Sequence, residues 1–322
     1  MLRLRDDQWE RIRAHFPEEH IPDSRPGRKP VPTRAVLEAV LWILNTGAQW
    51  HLLPQCYPNY KTVHRRFQQW CHREVLREVL TQLANALRAD GALDERESFI
   101  DATFAAAKGG GDAVGLTKRG KGVKILAIVD RHGLPLSVST HAANHHEVTL
   151  VQLSFDFYML EAKPEHLIGD RAYDSDRLDE DLKQDGVNMI APHRSTRKLK
   201  TQDSRHLRRY QRRWLVERFF AWLQWKRRLL VRWEYYATNF LGFVQLACIT
   251  MLLNHFEIGS RTYLKMVESV RIRPYHAFVC CDCAMTNGNG FGNTSPRNTS
   301  RRIVRAASRW RHGRCWRPCS GF

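Results

Sequence analysis

Acidic residues and long apolar runs are both scarce in this 322-residue chain. It has 33 Asp and Glu against 51 Lys and Arg, which gives a net charge of +18 at pH 7. No apolar run reaches the roughly 18 residues of a membrane span, because Gly242, Gln245 and Thr250 interrupt the longest one, residues 240–253. Residues 1–13 are charged throughout and do not resemble a secretory signal. We therefore expect no membrane partner, and the charge favours an anionic polymer.

Cysteine is sparse before residue 259 and concentrated after it. Cys56, Cys71 and Cys248 are scattered among apolar residues, as is typical of reduced thiols. The other five of the eight cysteines lie in residues 280–319, at spacings that fit no common zinc-ligand pattern. Residues 259–322 also hold 12 Lys and Arg against 2 Asp and Glu. We predict a basic, disordered tail there, with a structured zinc site as the alternative.

Helical periodicity dominates residues 1–90. The spacing of apolar residues predicts helices over residues 6–16, 34–45, 60–71 and 78–89. A compact turn, G-A-Q-W-H-L-L-P, separates the second of these helices from the third, which is the outline of a helix-turn-helix. The pattern therefore predicts a small all-α, helix-turn-helix-like DNA-binding domain over residues 1–90. A dimerisation bundle with a solvated basic face is the alternative.

The third of these helices is expected to have one apolar face and one basic face. Val63, Phe67 and Trp70 recur at the spacing of a buried stripe. The basic residues that we expect to face outward and contact DNA are Lys61, Arg65 and Arg66.

From residue 91 the pattern changes to strands, which later alternate with helices. Strands are predicted over residues 98–103, 123–129, 135–140, 166–169 and 187–191. Helices are predicted over residues 146–158, 175–184, 206–230 and 239–255. Hairpin-linked strands followed by alternating strands and helices indicate an α/β fold, a mixed sheet flanked by helices over residues 91–258.

Three carboxylates lie where this fold would bring them together. Asp101 is on the first predicted strand and Asp170 follows the fourth, at the edge where ligands of open α/β sheets collect. Glu217 is on the long basic helix that comes next. Carboxylates in apolar or basic surroundings are costly unless paired, and Mg²⁺ prefers oxygen ligands of this kind. Two such ions could hold both the attacking and the leaving oxygen of a phosphodiester. The sequence thus predicts metal-dependent phosphodiester chemistry on nucleic acid.

Several motifs in order resemble the DDE transposases of bacterial insertion sequences. They are D-A-T, I-G-D-R-A-Y-D-S-D and Y-x2-R-x3-E, with G-A-Q-W-H-L-L-P and T-V-H-R-R-F-Q-Q-W before them. The IS-five-like group, with its ribonuclease-H-like catalytic core, is the best match, over roughly residues 6–256. The resemblance implies that Asp101, Asp170 and Glu217 are the catalytic and metal-binding triad. The triad would bind two Mg²⁺ ions, or two Mn²⁺ ions instead.

The same resemblance assigns DNA-binding roles to Tyr210 and Arg213. They stand at the Tyr and Arg of the Y-x2-R-x3-E-x6-K signature, whereas Gln224 stands where the family has Lys. Arg213 is predicted to clamp a phosphate, and an i,i+4 salt bridge to Glu217 is the alternative. Tyr210 is not expected to be a nucleophile, since a carboxylate triad makes one redundant.

Lysines in the glycine-rich stretch after the first strand are further candidates for DNA contact. Lys121 and Lys124 are predicted to hold the DNA backbone, and a flexible solvated loop is the alternative. Glu147, in H-H-E, is interpreted as an acid that stabilises the first turn of a helix, and a position near the three carboxylates is the alternative.

The resemblance implies a transposase of the bacterial cytoplasm, associated with the nucleoid. Its partners would be the terminal inverted repeats and the target DNA, in a synaptic complex of two or more copies. It would cleave the element ends and join the 3′-hydroxyl to target DNA. The alternatives are a catalytically decayed DNA-binding protein and a ribonuclease-H-like metal nuclease.

Overall fold

A computed structural model describes residues 3–22, 24, 26–197 and 204–256, without the side chains of residues 204 and 205. The predicted tail, residues 259–322, lies outside this part of the chain.

The N-terminal part is all-α, as predicted. Its helices are α1 (Asp6–Ile12), α2 (Thr33–Thr46), α3 (Tyr60–His72) and α4 (Val75–Ala89). Helix α2 ends at Gly47, whose φ of 69° is the left-handed conformation that glycine adopts without strain. Asn59 caps α3 by accepting a hydrogen bond from the Lys61 N–H, and Val63, Phe67 and Trp70 are buried as expected.

A seven-stranded mixed sheet forms the centre of the remaining chain. Its strands are β1 (Glu97–Ala107), β2 (Gly115–Thr117), β3 (Gly120–Val129), β4 (Pro135–Ala142), β5 (His166–Ile168), β6 (Asn188–Ile190) and β7 (Val231–Arg232). β1 pairs antiparallel with β3, which pairs antiparallel with β4. On its other side β1 pairs parallel with β5, and β5 with β6. The predicted ribonuclease-H-like mixed sheet is confirmed, and β1 is central.

Helices cover the sheet, and their main difference from prediction lies in residues 206–230. They are α5 (Glu147–Phe155), α6 (Asp176–Gln184), α7 (Ser204–Leu207), α8 (Trp214–Gln224), α9 (Arg227–Leu230) and α10 (Ala237–His255). The single helix predicted over residues 206–230 was wrong, because a 3₁₀ turn, Arg209–Arg213, separates α7 from α8, and α8 ends at Gln224 before α9 begins at Arg227. A 3₁₀ turn has three residues per turn, which aligns Arg209 with Arg212, and both pair with Glu97.

Helix α10 is the buried core helix that the sequence predicts. By length and composition it is the one helix, among the residues described, that could span a membrane. However, 67% of its most apolar stretch is buried inside the protein. Its Phe243 ring lies 4.5 Å from the Phe67 ring of α3, and Gly242 allows the Cys71 side chain to pack directly on the helix backbone. The N-terminal helices therefore share a hydrophobic core with the last helix of the sheet region.

Candidate functional site

Strand register places Asp101 and Asp170 side by side. Phe99 of β1 pairs with Ile168 of β5, in parallel strands. Asp101 lies two residues beyond Phe99, and Asp170 lies two residues beyond Ile168. Both carboxylates are therefore at the same level of adjacent strands, as the sequence predicts.

Asp101 is the more enclosed of the two. Burial raises its pKa to about 6, although the Arg213 charge and the Ala102 N–H both oppose the rise. Its Oδ1 accepts a hydrogen bond from the Ala102 N–H at 2.8 Å. Asp170 starts a 3₁₀ turn, Arg171–Tyr173, and its Oδ1 accepts from the Ala172 N–H at 2.8 Å. One oxygen of each carboxylate is thus fixed by backbone.

Arg213 joins the two aspartates to Glu217. Its Nη2 lies 2.9 Å from Asp101 Oδ2 and 3.3 Å from Glu217 Oε1, and its Nη1 lies 3.8 Å from Asp170 Oδ2. Glu217 is on α8 with 60% of its side chain exposed, whereas the Arg213 side chain is 18% exposed. The i,i+4 salt bridge that was the alternative for Arg213 is present, but the guanidinium also contacts both aspartates. We call Asp101, Asp170, Glu217 and Arg213 the acidic site.

A cavity of about 490 Å³ opens beside the acidic site. Its charged lining residues are Asp101, Lys118, Arg119, Lys124, Glu147 and Asp170. Lys124 Nζ lies 3.1 Å from Glu147 Oε1 and donates a hydrogen bond to the His145 carbonyl at 2.8 Å. The cavity is thus lined by both carboxylates and cations, a combination suited to a phosphate with a bound cation.

The other predicted DNA-binding residues are distributed over the surface. Lys121 is exposed on β3, opposite Leu116, and Lys61 and Arg65 are exposed on α3. Tyr210 is partly buried, and its ring lies 5.8 Å from the Arg213 guanidinium.

The expectation that Arg66 faces outward was wrong. Its residue exposure is only 9%, and its Nη1 donates a hydrogen bond to the Val31 carbonyl at 2.6 Å. Its Nε also lies 3.4 Å from Glu18. These long-range contacts hold Arg66 inside the helical part, so it is a structural residue in this conformation.

Two residues near the site were missed or undervalued from the sequence. Glu97 lies at the start of β1 and pairs with Arg209 and Arg212, which holds the turn that carries Arg213. Glu147, expected mainly to serve its helix and with a place near the site only as the alternative, lines the cavity with Asp101 and Asp170. The sequence shows only that Glu97 lies four residues before Asp101 and that Glu147 follows two histidines. Neither position indicates which residue the acid contacts.

Gln224 is exposed, and the neighbouring lysine does not replace the family's Lys. Lys226 Nζ donates a hydrogen bond to Asn45 Oδ1 at 2.9 Å, and burial lowers its pKa. Lys226 therefore connects the C-terminal part to α2 instead of facing the acidic site.

The donor set of the acidic site fits a hard divalent cation. Three carboxylates from β1, from the end of β5 and from α8 surround one positive group, and oxygen ligands of this kind suit Mg²⁺ or Mn²⁺. In the part of the chain that the structure describes, no three acidic, histidine or cysteine side chains are gathered tightly enough to chelate an ion as they stand. The Arg213 guanidinium takes the central position.

Comparisons with known proteins find relatives of both the N-terminal part and the sheet region. A family described as "Putative transposase of IS4/5 family" matches residues 4–80, and "Transposase DDE domain" matches residues 92–252, half of the chain. An uncharacterized protein of Sinorhizobium fredii is 40% identical over 83 residues, which cover 25% of this chain and 62% of that protein. The putative transposase for insertion sequence element IS402 of Burkholderia cepacia is 30% identical, over 41% of this chain and 64% of its own. This chain therefore spans less than two thirds of those two relatives.

A third relative is covered almost completely. The putative transposase for insertion sequence element IS6501 of Brucella ovis is 34% identical, over 40% of this chain and 97% of its own. A solved structure, a piggyBac transposase synaptic complex with hairpin DNA, has a TM-score of 0.48 and 11% identity, over 83% of this chain and 77% of that chain. The match of the DDE domain to residues 92–252 includes all three predicted acids. The chain belongs to the DDE transposases of insertion sequences, in the IS4/5 family.

Proposed function

We propose that this transposase binds the terminal inverted repeats of its insertion sequence, cleaves the element ends and joins the 3′-hydroxyl to target DNA. The observation that supports the proposal is that Asp101 and Asp170 lie side by side on neighbouring strands, and that Arg213 connects both of them to Glu217. Asp101 and Asp170 would hold one Mg²⁺ or Mn²⁺, and Asp101 and Glu217 a second. Bound there, the two ions supply Lewis acidity to the attacking and leaving oxygens.

The protein's own groups would orient the DNA. Arg213 can turn from the carboxylates to a phosphate, because a guanidinium binds both kinds of anion in a planar, bidentate way. Lys124 and Lys121 lie along β3, beside and beyond the cavity, and would follow the DNA backbone. Tyr210 packs beside Arg213 and would hold its side chain toward the site.

Residues 1–90 are proposed as the DNA-binding domain, residues 91–258 as the catalytic domain and residues 259–322 as a basic tail. Lys61 and Arg65, exposed on α3, are the proposed contacts to the terminal repeats. Two or more copies would synapse two ends, in the cytoplasm at the nucleoid. A complex of that kind would bring two element ends and one target together.

Labelled duplexes that carry the repeats flanking the gene test this proposal. The full chain is incubated with Mg²⁺ or with EDTA, beside Glu217→Gln and Asp101→Asn variants. Asp181→Asn serves as a matched control, because Asp181 is an exposed carboxylate of α6. We expect Mg²⁺-dependent nicking at the repeat edge by the wild type and the control, and none by the other two variants. Specific binding without cleavage by the wild type would contradict catalysis, and cleavage without regard to the repeats would indicate a nuclease.

A further inference from the structure

Glu147 has an unexpected position for a residue at a helix start. It is the first residue of α5, and its side chain is 22% exposed in the cavity that Asp101 and Asp170 also line. Lys124 pairs with it at 3.1 Å. Glu147 and Asp101 are thus alike: each is a carboxylate of the cavity that pairs with a basic side chain, Lys124 for Glu147 and Arg213 for Asp101.

Tyr173 lies near the elements that carry Asp170 and Glu147, and its hydroxyl is an unused hydrogen-bond donor. It ends the turn that Asp170 begins, beneath α5, and its side chain is completely buried. Its hydroxyl has no hydrogen-bond partner among the described residues. Its backbone N–H donates to the Asp170 carbonyl at 3.1 Å, and the turn packs against α5, which begins with Glu147. The hydroxyl is therefore an unused donor close to the elements that carry Asp170 and Glu147.

A buried hydroxyl without a partner is unfavourable, so an arrangement that gives it an acceptor is favoured. The same hydroxyl would be satisfied if a neighbouring carboxylate rotated toward it. Carboxylates that bind a metal are commonly oriented by hydrogen bonds of this kind from groups behind them.

We propose that Glu147 is a fourth carboxylate of the acidic site and that the Tyr173 hydroxyl positions it by donating a hydrogen bond when a divalent cation is bound. The inference rests on the proposed function, since it needs a cation at the acidic site. In the cation-free arrangement Lys124 holds Glu147 and Arg213 holds Asp101. Cation binding would release both basic groups toward the phosphate.

Mn²⁺ binding to the full chain, without DNA, tests the inference directly. Free Mn²⁺ is followed by electron paramagnetic resonance in titrations of the wild type, Glu147→Gln and Tyr173→Phe. Gln keeps an oxygen that can accept from Lys124, and Phe keeps the buried ring. Asp101→Asn marks loss of the acidic site. Tyr158→Phe is the matched control, because the Tyr158 side chain is partly buried and its hydroxyl is enclosed like that of Tyr173, but its acidic neighbours are Glu95 and Asp130.

We expect the Mn²⁺ dissociation constant to rise about 10-fold to 100-fold in Glu147→Gln and in Tyr173→Phe, and to stay unchanged in Tyr158→Phe. The thermal unfolding midpoint of Tyr173→Phe in EDTA should be equal to that of the wild type or higher, because an unsatisfied group has been removed. A merely structural hydroxyl would lower that midpoint and leave Mn²⁺ affinity unchanged, which would overturn the inference.

Failure of the inference and failure of the proposed function give different results. If the wild type binds Mn²⁺ and only Asp101→Asn weakens binding, Glu147 is not part of the site and the inference alone fails. If the wild type binds no Mn²⁺ at the acidic site, so that Asp101→Asn has no effect, the proposed function fails and the inference fails with it.

Discussion

The Arg213 guanidinium donates a hydrogen bond to the Asp101 carboxylate across 2.9 Å, and both side chains are more than four-fifths buried. Arg213 comes from the turn before α8 and Asp101 from the central strand, so this contact fixes the position of α8 over the sheet. It also places a positive charge where the three carboxylates converge. The pair therefore has a structural role without DNA and a proposed catalytic role with it.

Replacing Arg213 by Gln should separate these two roles. Asp101 would lose its charged partner while remaining enclosed, and we expect the free energy of unfolding to fall by about 1–3 kcal/mol. Urea unfolding of the variant beside the wild type measures this loss. Arg213→Lys keeps the charge but not the planar fork, so it should recover most of the stability and little of the DNA cleavage. Equal cleavage by the wild type and the Lys variant would contradict a bidentate phosphate contact.

Glu97 should affect catalysis without touching the acidic site. It pairs with Arg209 and Arg212, and Glu97→Gln would loosen the turn that presents Arg213. We expect cleavage to fall about 10-fold to 100-fold, the usual cost of losing a supporting group, with DNA binding retained. Glu95→Gln is the matched control, because Glu95 lies two residues earlier and pairs with Arg88 instead. An equal loss in both variants would show that the effect is not specific to the turn.

Lys61 and Arg65 should behave differently from Arg66, although all three are on α3. Lys61→Ala and Arg65→Ala remove exposed charges, so each should weaken repeat binding and reduce the salt dependence of log K by about one. Arg66→Ala removes the contacts to Val31 and Glu18 and should lower stability first. Filter binding at several salt concentrations and urea unfolding distinguish the two effects. Unchanged salt dependence in the Lys61 and Arg65 variants would favour the dimerisation bundle.

The close packing of α10 on α3 can be tested at Gly242. A methyl group there would overlap the Cys71 side chain, so Gly242→Ala should destabilise the protein by about 1–3 kcal/mol through overpacking. Cys71→Ala in the same chain removes the obstructing sulfur and should recover part of the loss. Additive losses in the double variant, measured by urea unfolding, would show that the two residues are not in contact.

Asp130 should give the protein a distinctive pH dependence. Burial raises its pKa from 3.8 to about 7, against the opposing effect of backbone N–H groups of Leu134, Asp94 and His132. The unfolded chain therefore releases this proton at lower pH than the folded protein. Asp130 therefore contributes stability that is fully present below its pKa in the unfolded chain. This contribution is lost as the pH rises through its pKa in the folded protein, at up to about 1.4 kcal/mol per pH unit.

Asp130→Asn removes the titratable carboxyl group. The difference in free energy of unfolding between the variant and the wild type should therefore change between the unfolded and the folded pKa of Asp130. Urea unfolding at a series of pH values from 4 to 8 measures it. A constant difference over this range would mean that Asp130 is ionised in the folded protein throughout.

Much of this architecture could be predicted from local sequence pattern, because the pattern reflects burial. The stripe Val63, Phe67 and Trp70 is buried, and the strand positions placed Asp101 beside Asp170. What could not be predicted depends on pairing between distant segments. Arg66 has the helical position of a surface residue, and its burial follows from Val31 and Glu18, which lie 35 and 48 residues earlier. The turn before α8 is likewise paired with Glu97, more than 100 residues away.

The central claim, that Asp101, Asp170 and Glu217 bind the ions that cleave DNA, is tested most directly by changing the ligand atom. Each acid is replaced by Cys in turn, and nicking at the repeat edge is measured in Mg²⁺ and in Mn²⁺. A thiolate is a poor ligand for Mg²⁺ and a better one for Mn²⁺. The account predicts that cleavage is lost in Mg²⁺ and recovered in part in Mn²⁺ for at least one of the three variants, while the Asp181→Cys control cleaves in both. Equal cleavage in Mg²⁺ by the wild type and all three variants would contradict it.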